Sequence, residues 1–171
     1  MSLVESTANI TDLNFIYSCM LYGARKGHYS FDAENPEMVG WMKKEIQCVV
    51  ARQILLDQRH AVASVFKFRN KRIATLIMSE AFLNSNSIEI YALSVEKKYQ
   101  GQGHGRTILD DVLDRHQHTD IYARCSPASE KMTGLLKNRN FILHSIEGEF
   151  NVLVKSANDF SSIATPSRQH Q

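Results

Sequence analysis

The residues best suited to chemistry in this chain form a glycine-rich segment, Gln-Gly-Gln-Gly-His-Gly-Arg, at positions 100–106. Glycines at alternate positions let the main chain approach a ligand closely and adopt conformations that other residues avoid. An apolar run, Ile88 to Val95, leads into the segment, and an apolar-periodic stretch from Ile108 follows it. At such a strand-to-helix junction the first helical N–H groups lack partners and the helix dipole is positive. The segment therefore predicts a phosphate-binding turn.

The spacing of the glycines excludes two common phosphate-binding motifs. A G-x-G-x-x-G fingerprint needs a glycine where Arg106 stands, and no G-x-x-x-x-G-K-[ST] run is present. The segment instead fits the pattern (R/Q)-x-x-G-x-(G/A), and the chain resembles the GNAT superfamily of acetyl-CoA-dependent N-acetyltransferases. Lys97 stands where that family commonly has proline, and Gln100 where arginine is commoner. The family's V-x-P-x-(Y/F)-R-G-x-G-x-G pattern is matched at Val95, Tyr99, Gly101, Gly103 and Gly105.

The resemblance implies acetyl-CoA as cosubstrate and assigns residues to it. Ser129 stands where the family has an asparagine that contacts coenzyme A, and a serine can still donate a hydrogen bond. Leu136 stands where the family has the tyrosine that protonates the leaving thiolate, so the usual general acid is missing. The pantetheine arm is expected on the backbone of Leu93, Ser94 and Val95, and the pyrophosphate on Gln100, Gly101, Gln102, Gly103, His104, Gly105 and Arg106.

Acetyl transfer to an amine requires removal of a proton. A lysine-like amine has a pKa of about 10.4 and is almost entirely protonated near neutral pH. Glu89 lies six residues before Val95, where histone-acetyltransferase-like members of the superfamily place a glutamate base. Strand alternation predicts that Glu89, Tyr91, Leu93 and Val95 share one face of the sheet. We predict Glu89 as the base and Tyr91 as a weaker catalytic candidate; the alternative for Glu89 is a solvated charge on a partly exposed strand.

The acceptor is expected in a groove lined, as is usual in this family, by the segment between the first two helices and by the last hairpin. Here these are residues 27–36 and 145–148. Aromatic and acidic side chains in the first segment would suit a cationic or peptidic amine: Tyr29, Phe31 and Asp32.

Two further features have plainer interpretations. His116 and His118 have no partner cysteine or carboxylate at metal-ligand spacing, so we predict a surface pair and no metal. Cys125 ends a predicted strand and is interpreted as a small buried hydrophobe, with an acyl-carrying nucleophile as the alternative.

Composition limits the class of protein. A chain of 171 residues with 43% hydrophobic and 22% charged residues fits one ordinary globular domain. The net charge of +2 does not favour nucleic-acid binding. Three cysteines, an odd number, and no visible signal peptide favour a reduced, cytoplasmic setting. The sequence contains no run of about 18 apolar residues, so no membrane span is predicted.

Apolar periodicity and turn signals predict the order β-α-α-β-β-β-α-β-α-β-β. This is an α/β (α+β) fold, a GNAT-like mixed, mostly antiparallel sheet flanked by helices on both faces. Thr11 is predicted to cap the first helix, Asn35 with Pro36 to open the second, and Ser126 with Pro127 to open the fourth. Residues 1–155 are predicted to form one N-acetyltransferase domain, and residues 156–171 a flexible tail.

The sequence thus predicts an acetyl-CoA-dependent N-acetyltransferase that acts by direct attack of a primary amine on a small molecule or peptide. The alternative is an acetyl-CoA-binding regulatory module with weak or no catalysis, which Leu136 suggests. A third possibility is an acceptor amine carried on an RNA, favoured only by the slight basic excess. A homodimer is expected, since exposed edges in this fold often pair.

Overall fold

The elements of the chain follow the predicted order. The structure, a computed structural model, describes residues 3–84 and 86–157. Most of the predicted tail, from residue 158 onward, lies outside these ranges. The described ranges contain β1 (Val4–Thr7), α1 (Leu13–Arg25), α2 (Pro36–Arg52), β2 (Ala61–Phe68), β3 (Lys71–Glu80), β4 (Ile88–Val95), α3 (His104–Arg115), β5 (Ile121–Cys125), α4 (Glu130–Lys137), β6 (Ile142–Glu147) and β7 (Phe150–Lys155).

One seven-stranded sheet carries the strands in the order β1-β2-β3-β4-β5-β7-β6. Neighbouring strands are antiparallel except β4 and β5, which run parallel. These two strands pair only where Ile88–Ile90 meets Ile121–Ala123. In the described structure β4 therefore has no β5 partner from Tyr91 to Val95, and the sheet opens between the carboxyl ends of the two strands.

The sheet separates two hydrophobic cores, because its strands bury side chains on both faces. On one face α3 and α4 contribute Ile108, Leu109 and Leu136. On the other face α1 and α2 contribute Ile16 and Ile46. The predicted mixed sheet with helices on both sides is confirmed.

The start of the second helix was predicted correctly, and the start of the first was not. Asn35 accepts a hydrogen bond from the Glu37 amide at 3.0 Å, and Pro36 is the first residue of α2. Ahead of α1, Asn9 accepts from the Thr11 amide at 2.9 Å and caps a 3₁₀ turn, Ile10–Asp12. Thr11 is thus inside the turn. An asparagine two residues earlier was the better capping residue.

The fourth helix also begins later than predicted. It starts at Glu130, preceded by Ser129, and not at Pro127. Ser126 does not cap it, because its hydroxyl donates to the Gly27 carbonyl at 2.6 Å. A tertiary contact with the segment between α1 and α2 has taken the place of the local capping bond.

Candidate active site

A cleft of about 860 Å³ opens on the α1 and α2 face of the sheet, beside the gap between β4 and β5. Among the residues that the structure describes, four carboxylates and one guanidinium line it, although the whole chain carries a charge of +2. Burial, with Lys26 nearby, lowers the pKa of His28, so this lining ring is neutral near pH 7. The wall combines acidic, aromatic and methionine side chains, among them Met20, Tyr29, Phe31, Glu37, Met38, Trp41, Met42, Glu45, Asp57, Glu89, Tyr91, Arg124 and Phe150.

The glycine-rich segment connects β4 to α3 through a 3₁₀ turn, Lys97–Tyr99. Gly101 and Gly103 have φ values of 77° and 85°, in the left-handed region that favours glycine. No side chain caps α3, whose N-cap is Gly103, and a Cβ added at either glycine would meet no atom within 4 Å. The first amides of α3 are therefore available to an anion in the space above the turn.

Two side chains of the turn form hydrogen bonds with nearby backbone carbonyls. Gln100 donates to the Val95 carbonyl at 2.8 Å, and Gln102 donates to the Lys98 carbonyl at 3.0 Å. The His104 ring lies 5.3 Å from the Phe68 ring, so it packs into the protein and does not extend over the turn. Gly105 is near Val95, and Arg106 is exposed. The predicted coenzyme A contacts of this segment thus rest on its amides.

A β-bulge in β4 changes which side chains face the cleft. Met78 on β3 pairs with Ile90, and the preceding Ile77 pairs with Ala92, so Tyr91 is an extra residue. Past the bulge, Leu93 and Val95 pack on the α3 face with Ile90, while Glu89 and Tyr91 line the cleft. The prediction that Glu89, Tyr91, Leu93 and Val95 share one face was wrong, because the bulge interrupts the alternation.

Glu89 is buried in the cleft wall between two arginines, and its side chain is 4% exposed. One oxygen accepts from Nη1 of Arg59 at 2.8 Å, and the other from Nε of Arg124 at 2.7 Å. Both oxygens of the carboxylate are thus engaged in charge-assisted hydrogen bonds. The base role of Glu89 stays a prediction, and a second role, positioning both arginines, follows from the contacts.

Tyr91 is linked to a carboxylate that the sequence analysis did not single out. Its hydroxyl donates to Oε1 of Glu45 at 2.8 Å, and Oε2 of Glu45 accepts from the Leu56 amide at 2.8 Å. Burial, then the Glu45 charge, raises the pKa of Tyr91. The phenol therefore remains protonated and holds Glu45 toward the cleft.

The segment between α1 and α2 contacts both β4 and the residues that follow β5. The Tyr29 hydroxyl lies 2.6 Å from the Ser94 hydroxyl on β4. Nδ1 of His28 lies 3.0 Å from Oγ of Ser129, which itself lies 3.1 Å from Oγ of Ser126. Ser129, predicted to contact coenzyme A, is thus bonded to this segment in the structure.

The remaining predicted residues lie as follows. Phe31 stacks near Tyr29, with ring centroids 6.2 Å apart, and lines the cleft. Asp32 does not line it; its carboxylate accepts from the Glu34 amide at 2.8 Å. Cys125 is 3% exposed, and burial raises its thiol pKa, as expected for a small buried hydrophobe. Leu136 is fully buried in the core on the α3 face.

Two acidic residues and one tryptophan of α2 that line the cleft were missed by the sequence analysis. Glu37, Trp41 and Glu45 follow one another at intervals of four residues, which places them on one helix face. Trp41 is 61% exposed, which is unusual for so large an apolar ring. Their spacing at intervals of four residues was the signal in the sequence that could have indicated them.

The described residues hold neither a membrane-spanning helix nor a metal cluster. None of the helices in the ranges 3–84 and 86–157 has the length and apolar character needed to cross a bilayer. Within the same ranges no three histidine, cysteine or acidic side chains come together as a metal site would require.

Comparisons with known proteins agree on one family. Residues 21–141 match the model of the Acetyltransferase (GNAT) family. An acetyltransferase from Thermus thermophilus superimposes with a TM-score of 0.69 at 14% identity, over 91% of this chain and 97% of that one. AAC(6')-Ib in complex with ribostamycin and coenzyme A gives 0.70 at 12% identity, over 98% and 100% of the two chains. The PaiA N-acetyltransferase from Thermoplasma acidophilum, with coenzyme A, gives 0.64 at 13% identity, over 91% and 99%. Comparison with the sequences of curated proteins gives no match.

Proposed function

The chain belongs to the GNAT acetyltransferase family, and we propose that it transfers the acetyl group of acetyl-CoA to a primary amine by direct attack. The acceptor is a small molecule or peptide whose amine is bound as a cation in the acidic cleft. The observation that carries the proposal is the juxtaposition of this cleft with an open, uncapped glycine turn at the end of the same strand, β4.

The described geometry fits coenzyme A in two places. The amides that begin α3 are available to a pyrophosphate, and the turn above them is open at Gly101 and Gly103. The stretch of β4 from Tyr91 to Val95 has no β5 partner, so its backbone can bond an amide-containing arm such as pantetheine. Acetyl-CoA supplies the activated thioester. Each charge-assisted bond is typically worth about 1.5–3 kcal/mol, which in sum supports micromolar binding.

The wall of the cleft supports a cationic amine as acceptor. Glu37 and Glu45 project from one face of α2, with the Trp41 ring between them along the helix. Carboxylates attract an ammonium group, and an indole face binds cations through its quadrupole. The PaiA enzyme and AAC(6')-Ib are similar in fold alone, so these residues, and not the relatives, support the class of acceptor.

The amine must lose a proton before it attacks. Glu89 remains our candidate for the base, acting on an amine in the cleft directly or through water while its carboxylate is bonded to Arg59 and Arg124. Tyr91 supports the site through Glu45. The thioester carbonyl is expected to be polarised by amides near Leu93 and Val95, whose edge toward β5 is unpaired.

Release of the coenzyme A thiol in the presence of a panel of diamines, aminoglycosides and amine-bearing peptides tests the proposal. We expect turnover with cationic amines and a rise in their KM of about tenfold in Glu45→Gln, since one charged contact is lost. Lys44→Gln, which changes a neighbouring exposed charge on α2 outside the lining of the cleft, is the matched control.

A second candidate, an acetyl-CoA-binding regulatory module, is favoured by Leu136 in place of the family's tyrosine. Coenzyme A would then raise the melting temperature while no acceptor gave turnover. Absence of both coenzyme A binding and turnover would overturn both candidates.

A further inference from the structure

A hydrogen-bond donor for the departing sulfur is missing from its usual place. Leu136 is fully buried in the core on the α3 face and has no polar atom to offer. A thiol has a pKa of about 8.5, so a thiolate can leave without full protonation, but a donor that contacts its charge would still speed departure.

We propose that the Tyr29 hydroxyl supplies this donor, by hydrogen bonding to the sulfur of coenzyme A as the bond between carbon and sulfur breaks. The proposal rests on the proposed function. Tyr29 lines the cleft, and its hydroxyl meets Ser94 in the stretch of β4 that has no β5 partner. It thus reaches the strand segment expected to carry the pantetheine arm.

The contact between Tyr29 and Ser94 leaves a proton for a ligand. Either oxygen can be the donor across the 2.6 Å separation. When the Ser94 hydroxyl donates to the phenol oxygen, the phenol proton is directed away from Ser94. Burial, offset in part by this hydrogen bond, raises the pKa of Tyr29 to about 12, so the proton is present near neutral pH.

A glycine in α1 fits the position of the tyrosine ring. Gly23 is buried, and a Cβ added there would collide with Cε2 of Tyr29. Gly23 has no unusual backbone angle of its own, and glycine in a helix interior costs about 1 kcal/mol relative to alanine. The space it leaves is filled by the ring whose hydroxyl reaches Ser94.

Two other tyrosines are committed elsewhere. The Tyr91 hydroxyl donates to Glu45. The Tyr122 ring packs edge-on against His144, 5.7 Å between centroids.

The chemical step balances without a further reactant. The amine nitrogen bonds to the carbonyl carbon, the bond from that carbon to sulfur breaks, and the electron pair goes to sulfur. The nitrogen, which gave one proton to the base to become a neutral amine before attack, loses a second proton to water as the amide forms. The sulfur departs as a thiolate bonded by the Tyr29 proton and takes its own proton from water, because a phenol of pKa about 12 holds its proton against a thiolate.

The test is the pKa of the coenzyme A thiol when bound, measured by the ultraviolet absorbance of its thiolate. Difference spectra against the desulfo-coenzyme A complex remove the ionisation of protein thiols and phenols. We expect the bound thiol to have a pKa about one unit higher in Tyr29→Phe than in the natural protein, since a donor favours the charged form. The value of kcat should fall about 10- to 100-fold with little change in the KM of acetyl-CoA.

Tyr17→Phe is the matched control, because its hydroxyl is exposed and lies 3.5 Å from the Lys43 carbonyl on the surface. Gly23→Ala keeps the hydroxyl but displaces the ring, and should reproduce the loss in kcat. If coenzyme A binds Tyr29→Phe with an unchanged thiol pKa, and kcat stays within about twofold of the natural value, the inference is overturned. The proposed function would still stand. If the natural protein does not bind coenzyme A, the proposed function itself is overturned.

Discussion

At the scale of single residues, Glu89 is both the proposed base and the centre of an ion cluster. Its carboxylate joins three segments, since Arg59 precedes β2 and Arg124 lies on β5. An ion cluster of this kind is costly to break, because each remaining charge is left without its counterion. The proposed role as base and the contacts that hold the cleft wall therefore belong to one side chain.

Replacing Glu89 by glutamine separates these roles. We expect Glu89→Gln to lower the free energy of unfolding by about 2 kcal/mol, less than for a fully buried pair because Arg124 is partly exposed. The midpoint of thermal unfolding should fall by about 5 °C. Asp57→Asn removes an exposed partner of the same Arg59 and should cost under about 0.5 kcal/mol. Equal costs for the two variants would contradict the structural role.

The same Glu89→Gln protein, assayed at a temperature below its unfolding midpoint, tests whether Glu89 acts as the base. General base catalysis predicts a fall in kcat of about 100-fold or more, with coenzyme A affinity unchanged. A folded Glu89→Gln enzyme with the natural kcat would leave Glu89 as a positioning residue alone.

At the scale of elements, the turn between β4 and α3 makes the sharpest prediction. Gly103 has a φ of 85°, and a side chain there costs about 1–2 kcal/mol in the left-handed region. Gly103→Ala should therefore weaken coenzyme A binding about tenfold in a calorimetric titration, because the turn relaxes away from its anion-binding shape. Gly148→Ala, with a φ of 59° in the last hairpin, should cost similar stability and leave that affinity unchanged. Natural affinity in Gly103→Ala would contradict the role of the turn.

The elements themselves were largely predictable from the sequence, and the exceptions share a physical cause. β4 was predicted with correct bounds, Ile88–Val95, because its apolar run leads directly into the glycine-rich turn. The bulge at Tyr91 was not predictable, since it follows from pairing with β3 and the sequence of β4 alternates normally. The start of α4 was displaced by the contact of Ser126 with Gly27, far away in the chain.

The candidate site likewise has one part that the sequence predicts and another that it does not. The glycine turn is local, so its residue types and spacing were sufficient to predict it. The cleft depends on contacts between distant segments, such as Tyr29 with Ser94 and Tyr91 with Glu45. Local spacing predicts none of these pairs, and so the acidic face of α2 and the arginine partners of Glu89 appear only in the folded chain.

At the scale of the whole molecule, the candidate site depends on the arrangement of the open sheet and its two hydrophobic cores. The pairing of β4 with β5 stops after Ile90, and a hydrophobic core packs on each face of the sheet. The α1 and α2 face buries ionisable groups along with its apolar ones, among them Cys19 and Tyr29. Burial beside the cleft thus makes the stability of the whole fold depend on pH.

This dependence predicts a loss of stability in alkali. Burial, then the charge of Glu96, raises the pKa of Cys19 from 9.0 to about 12, and burial raises that of Tyr29 from 10.0 to about 12. Below pH 9 both states of the chain hold these protons, and the stability is complete. From pH 9 toward 12 the unfolded chain releases them first, so the free energy of unfolding falls by up to about 1.4 kcal/mol per pH unit for each group. Urea titrations at successive pH values should show the slope beginning near 9 and reduced in Cys19→Ala, where Cys125 is the buried thiol that remains and Tyr29 contributes only above about 10. A stability that is level across that range would mean that the two groups are solvated, and that the cleft wall is looser than its packing indicates.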